Sequence, residues 1–310
     1  MRSEAVVPIA QTTRSEVVES IHFGAVVALC TDGTTAWSAG DPDSQIYPRS
    51  ALKPLQAQAM IDAGFDAEPD ELAVAAASHS GEPIHLEVVR RILTKAGLDE
   101  EALGNTPALP LAPTVAADVL RAGGRPSALQ QNCSGKHAAM LSTSVANGWE
   151  IDGYLQFEHP VQKLIDAYIA DVAGGVSHTG IDGCGAPTAM ITLTGLALAV
   201  RALAVDASPV YAAMREFPQL VAGTGREDTV LMRAVPGLIA KGGAEGVHVA
   251  AHRDGRAVAV KVADGSERAR VPVMLAALRS LGFDVDDVPV PPILGHGRPV
   301  GEVRALVGHA

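Results

Sequence analysis

Ser50 and Lys53 are the first residues of this chain whose types and spacing suit covalent chemistry. They stand three apart in Tyr47-Pro48-Arg49-Ser50-Ala51-Leu52-Lys53-Pro54. On a helix that spacing puts both side chains on one side. Pro54 fits a first turn, whose N–H groups lack helical partners, and does not fit a helix interior. The pattern therefore predicts a helix over 50–63 with Ser50 near its start. There the helix dipole favours developing negative charge. A lysine whose pKa is lowered by burial or by neighbouring cations can take a serine proton. The same spacing also describes an N-cap serine beside a surface lysine.

Three further clusters carry polar chemistry. Ala77-Ser78-His79-Ser80-Gly81-Glu82 closes an apolar run. It reads as a second hydroxyl able to relay a proton, or as the cap of the next helix. Lys241-Gly242-Gly243 precedes a strand pair and presents a cation where glycines let a ligand approach the backbone. Asn132-Cys133-Ser134-Gly135-Lys136-His137 is succeeded about fifty residues later by Gly180-Ile181-Asp182-Gly183-Cys184-Gly185. Two cysteines with a histidine or lysine can hold zinc. Free cysteines are also often simply buried. Ser-x-x-Lys, Ser-x-Ser and Lys-x-Gly occur here in the order seen in serine β-lactamases and penicillin-binding proteins. The middle and third motifs differ from that family's Ser-Asp-Asn and Lys-Thr-Gly.

These clusters need elements to position them. Residues 20–41 read as a β-hairpin, with Asp32-Gly33 as its turn. Residues 247–252 and 257–262 read as a second strand pair around Arg253-Asp254-Gly255-Arg256. Between them, helical patterns alternate with Gly/Pro loops: 83–96 stopped by Gly97, 138–146 stopped by Gly148, and 161–172 stopped by Gly174. A last helix spans 266–281. The most apolar stretch, 186–205, reads as a buried core helix, because Arg201 would otherwise sit inside a bilayer. One domain is expected, with sheet-forming parts over about 20–65 and 225–285 and a helical lobe over about 66–220. Its class is α/β (α+β), with a mainly antiparallel sheet built from both chain ends.

Composition narrows the partners. A chain of 310 residues, 47% apolar and 19% charged, has enough core to fold without staples. Its 24 Lys+Arg against 35 Asp+Glu give a charge of -11. Such a surface argues against nucleic acid and anionic membranes. The three cysteines do not make a disulfide scaffold, and reduced thiols in the cytoplasm fit better. The apolar run 5–10 is broken by Pro8 and is too short for a secretory segment.

Taken with Gly223-Thr224-Gly225-Arg226, the quoted motifs resemble those of the L-asparaginase II family, the thermolabile or Rhizobium-type asparaginases. The likeness runs from about Ser20 to Gly265. It implies a serine-β-lactamase-like fold, a homodimer and hydrolysis of L-asparagine to L-aspartate and ammonia. Carried over by motif, it implies one Ser–Lys pair in Ser50 and Lys53 and a second in Ser78 and Lys241. It implies zinc on Cys133, Lys136 and Cys184, with His137 and Asp182 beside that site holding substrate. The substrate's α-amino group wants an acid such as Asp182 or Glu82, and its α-carboxylate wants Arg49 or a helix start. A glutaminase shares the chemistry with one more methylene, a difference of about 1–3 kcal/mol in a pocket. A non-catalytic amino-acid-binding relic is disfavoured, because every hydroxyl and amine the reaction needs is present.

Overall fold

The computed structural model describes residues 3–308 of the chain. Two compact units divide it. A sheet unit takes Met1–Ala51, Met190–Asp206 and Val230–Ala310, and a helical unit takes Leu52–Ala189 and Ala207–Thr229. Both chain ends therefore build the sheet and the middle builds the helices, as the alternation of sequence patterns predicts.

Among the described residues, the main sheet of this unit has seven antiparallel strands: β1 (Val7–Arg14), β2 (Val17–Leu29), β3 (Thr35–Ala39), β4 (Leu238–Gly243), β5 (Val247–His252), β6 (Ala257–Val262) and β7 (Val303–Ala305). Their order is β7-β1-β2-β6-β5-β4, with β3 also pairing β2. The β2–β3 hairpin is the one expected. Asp32 Oδ1 accepts from the Thr34 amide (2.9 Å) and hydroxyl (2.7 Å), which fixes its turn. β5 and β6 are buried almost throughout, because the helices Leu193–Val205 and Glu267–Ser280 pack against them. Burial of nearly every position explains why both read as apolar runs without alternation.

The helical unit contains Lys53–Asp62, Pro69–Ala75, Pro83–Lys95, Pro113–Arg121, Ser134–Ala146, Pro160–Val172 and Pro209–Glu216. Several open on proline, whose missing N–H is no loss in a first turn. Ser134–Ala146 lies against Pro69–Ala75, and a Cβ at Gly135 would collide with the Val74 carbonyl. That close approach is what the glycine of Cys-Ser-Gly-Lys-His permits.

Four sequence expectations change. The stretch 186–205 is a strand, Pro187–Thr192, and then the helix Leu193–Val205. Thr192 caps that helix, its hydroxyl accepting from the Gly195 amide at 2.8 Å. The helix expected over 50–63 splits into a 3-10 turn, Arg49–Leu52, and an α-helix, Lys53–Asp62. That α-helix belongs to the helical unit, not to the sheet-forming part. Finally, Val7–Arg14 and Val303–Ala305 add strands that hydrophobic patterning did not signal, the first carrying a register shift beside Pro8. No single described helix is long and apolar enough to cross a membrane.

Candidate active site

Lys53 is the first residue of its helix and is almost completely buried, with 1% exposure. Its Nζ donates to the Ala77 carbonyl at 2.5 Å and to Ser78 Oγ at 3.0 Å. The Ser–Lys contact inside the helical unit is thus Lys53 with Ser78, although the residues are 25 apart in sequence. Ser50 and Lys241 lie in the sheet unit. There the end of β4 lies against the turn that carries Ser50, since a Cβ at Gly243 would meet the Pro48 carbonyl and the Ala51 amide. Lys241 Nζ donates to the Gly242 carbonyl at 2.6 Å. Arg49, just before Ser50, has a φ of 55°, a left-handed conformation uncommon outside glycine and often found at functional turns.

The segment around Ser78 is tightly tied. The Ser78 amide donates to the Val221 carbonyl (3.0 Å) and the His79 amide to the Asn132 carbonyl (3.1 Å). His79 Nδ1 accepts from the Gly81 amide at 3.1 Å, so the ring proton sits on Nε2, 2.9 Å from Ser134 Oγ. Burial foremost, then the charges of His85, Lys53 and Arg226, hold His79 neutral. These bonds fix Ser78 relative to the helix start that bears Cys133, Lys136 and His137.

Glu82 lies just ahead of the helix Pro83–Lys95, and both of its carboxylate oxygens are engaged. Oε1 accepts from the Thr224 amide at 2.8 Å and Oε2 from the Thr224 hydroxyl at 2.7 Å. Partial burial works against ionisation of Glu82, but these bonds outweigh it and lower its pKa.

Cys133, Lys136 and Cys184 converge in the helical unit, all buried, with Lys136 Nζ 3.3 Å from Cys184 Sγ. A hydrogen bond from Cys184 lowers the Cys133 pKa against the effect of burial, helped by the charges of Lys53 and Lys136. The Cys184 thiol is pushed up by sharing its proton with Cys133 and by burial. Burial alone would favour a neutral Lys136, but the charges of Cys184, Cys133 and Asp182 outweigh it and raise the pKa. The trio is a soft S,S,N donor set, a donor chemistry that fits zinc once Lys136 and Cys184 lose their protons. Among the described residues no three His, Cys, Asp or Glu side chains form a metal-holding group, so the Lys136 amine would be the third protein ligand.

Tyr154 is a site residue that the motifs did not signal. Its oxygen accepts from the Gly104 amide at 2.9 Å, and it shares a 2.8 Å hydrogen bond with His137 Nδ1. The other ring nitrogen of His137 is Nε2. That atom is buried and has no hydrogen-bond partner. Burial and then the charges of Lys136 and Lys53 keep the ring neutral. His137 Nε2 is a buried polar atom held ready for a ligand group. Asp182 is half-buried, its Oδ1 accepting from the Gly183 amide at 2.7 Å in the turn before Cys184.

Known proteins bear first on the class, which is that of the amidohydrolases, with a small amino-acid substrate. The chain belongs to the L-asparaginase II family, whose profile matches residues 10–305. No curated protein matches it significantly. Among solved structures it is similar to a Bacteroides dorei DSM 17855 protein designated a beta-lactamase, with a TM-score of 0.46 and 14% identity over 83% of this chain and 93% of that one. A Mycobacterium bovis beta-lactamase matches with a TM-score of 0.37 and 16% identity over 78% and 88%. Mglu in its native form matches with a TM-score of 0.37 and 14% identity over 85% and 66%.

Proposed function

We propose that the protein is an L-asparaginase acting by Ser–Lys acyl transfer. The observation that carries this reading is the buried Lys53 amine bonded to Ser78 Oγ at 3.0 Å, on a chain whose Ser50 stands three residues before Lys53. Ser50 is the nucleophile and Lys53 takes its proton. Ser50 Oγ attacks the side-chain amide carbon, giving a tetrahedral oxyanion. Ser78 passes the proton from Lys53 to the departing nitrogen, and ammonia leaves. Water then attacks the Ser50 ester, its proton returning through Lys53, and aspartate is released. Two features separate the serines. The Ser78 amide is engaged by Val221, so it is not available to an oxyanion on that residue. Ser50 lies in the 3-10 turn Arg49–Leu52, just ahead of a helix start, where the helix dipole favours developing negative charge. Lys241 is the second amine of this reading.

His137 Nε2 meets a polar group of the substrate, and Asp182 receives the α-amino group. Zinc, held by Cys133, Lys136 and Cys184, would supply positive charge and Lewis acidity beside the substrate. The family likeness further supports a homodimer, and free Cys30, Cys133 and Cys184 fit a cytoplasmic enzyme.

Ammonia release from L-asparagine and L-glutamine, measured side by side, tests the substrate. L-Asparagine is expected to have the larger kcat/KM. Preference for L-glutamine would replace this reading with a glutaminase, and inactivity on both would remove it.

Zinc has its own test. Protein purified without chelators or metal-affinity tags is expected to contain zinc, with binding that weakens as pH falls, because Cys184 and Lys136 must lose protons to ligate. A metal-free protein with no affinity for added zinc at neutral pH would remove the metal and leave the serines and lysines.

A further inference from the structure

The loop 221–226 is stitched to the segment 78–82 by more contacts than a connector requires. The Ser78 amide bonds the Val221 carbonyl, Ser80 Oγ donates to the Ala222 carbonyl at 2.9 Å, and Glu82 takes both donors of Thr224. Thr229 Oγ1 donates to the Gly223 carbonyl at 2.8 Å. Gly223 has a φ of 140°, and any Cβ there would collide with Ser80 Oγ, so the two segments touch backbone to side chain. This lock sets the position of Arg226.

The Arg226 guanidinium is only lightly engaged. Its contacts are one long bond to the Ser78 carbonyl, 3.5 Å from Nη1, and a 3.9 Å approach of Nε to Glu227. Its side chain is 29% exposed. A guanidinium has five donors in a planar fork that matches a carboxylate two bonds at a time. Glu82, by contrast, already has both oxygens engaged by Thr224.

We propose that Arg226 is the residue that recognises the substrate's α-carboxylate, and that Glu82 and Thr224 are positioning residues that aim it. This deepens the amino-acid amidohydrolase reading and rests on it. Glu82 thereby acts through the loop, and the substrate's amine is left to Asp182. Ser80 and Gly223 belong to the same device.

The experiment compares kcat/KM for L-asparagine with that for its α-amide, which keeps the scissile group and replaces the α-carboxylate by a neutral amide. Wild-type enzyme is expected to favour L-asparagine. Arg226→Ala should lower kcat/KM for L-asparagine by about 10–100-fold, the scale of hydrogen bonds to a charged group, and leave the α-amide nearly unchanged. Arg226→Lys should restore part of the loss. Glu82→Gln should show the same selective loss, and adding it to Arg226→Ala should cost little more. An equal loss on both substrates would make Arg226 an oxyanion or structural residue and overturn the proposal. So would the selective loss appearing in Arg49→Ala and not in Arg226→Ala. Should wild type prefer L-glutamine, the same comparison is made with L-glutamine and its α-amide. Should it hydrolyse neither, calorimetric binding of L-aspartate and L-glutamate still decides, because unchanged affinity in Arg226→Ala sinks the carboxylate contact by itself.

Discussion

Ser50→Ala is expected to abolish ammonia release from L-asparagine while leaving a folded protein. Removing a nucleophile leaves only the binding and electrostatic parts of catalysis, so a loss of at least about 1,000-fold is expected. The turn itself does not depend on the hydroxyl. Its Ala51 amide bonds the Pro48 carbonyl at 3.1 Å, and the buried side chains of Leu52 and Leu55 anchor the start of the helix Lys53–Asp62 in the core. Loss of a serine at a helix start costs about 0.5–2 kcal/mol, which a chain of this size tolerates. The check is a coupled ammonia assay beside a thermal melt. Mass spectrometry after rapid acid quench should show a substrate-derived acyl group on wild type and none on the variant. Near-wild-type turnover by folded Ser50→Ala would transfer the role to Ser78, whose own alanine variant should be assayed in parallel.

The parts of the molecule that were legible in the sequence are those where local chemistry and tertiary packing agree. Asp32-Gly33 and Gly255 mark tight turns, and the strands they join pair as expected. Gly97 and Gly148 stop helices at positive φ, as a C-terminal glycine should. The stretch 186–205 misled because apolarity alone does not separate a strand from a helix, and the change falls at a threonine cap. β1 and β7 were unreadable because their pairing joins residues near opposite ends of the chain, such as Ala10 with Ala305.

The candidate site shows the same division. Residue types, motif spacing and the family likeness pointed to Lys53, Ser78, Cys133, Lys136 and Cys184 as candidates. Which of them touch is a matter of distant contacts, as with Lys53 and Ser78 or Lys136 and Cys184. Tyr154 gave no signal, because a tyrosine in a Gly-containing loop acquires its role only by reaching Gly104 and His137. Glu82 looked like a helix cap or a substrate carboxylate. Its partner Thr224 lies 142 residues away.

Lys53→Met tests the other half of the proposed chemistry. Methionine keeps the length and apolar stem of the side chain, so the buried space stays filled and the helix Lys53–Asp62 loses no packing. What disappears is the amine, and with it both bonds, to the Ala77 carbonyl and to Ser78 Oγ. An unpaired buried carbonyl costs about 1–3 kcal/mol, so a lower melting temperature is expected along with the catalytic loss. Rates are therefore read well below the variant's melting point. Loss of a general base typically costs about 100-fold or more, and kcat should fall by at least about that factor with KM little changed. Small primary amines added to the assay should restore part of kcat in the smaller Lys53→Ala, where the missing stem leaves room for them. Ser78 makes the outcome diagnostic. If Lys53 both accepts the Ser50 proton and supplies Ser78, then Ser78→Ala added to Lys53→Met should lower kcat far less than it does in wild type. A rise in KM with kcat preserved would instead make Lys53 a substrate-binding cation and leave the Ser50 proton to another base.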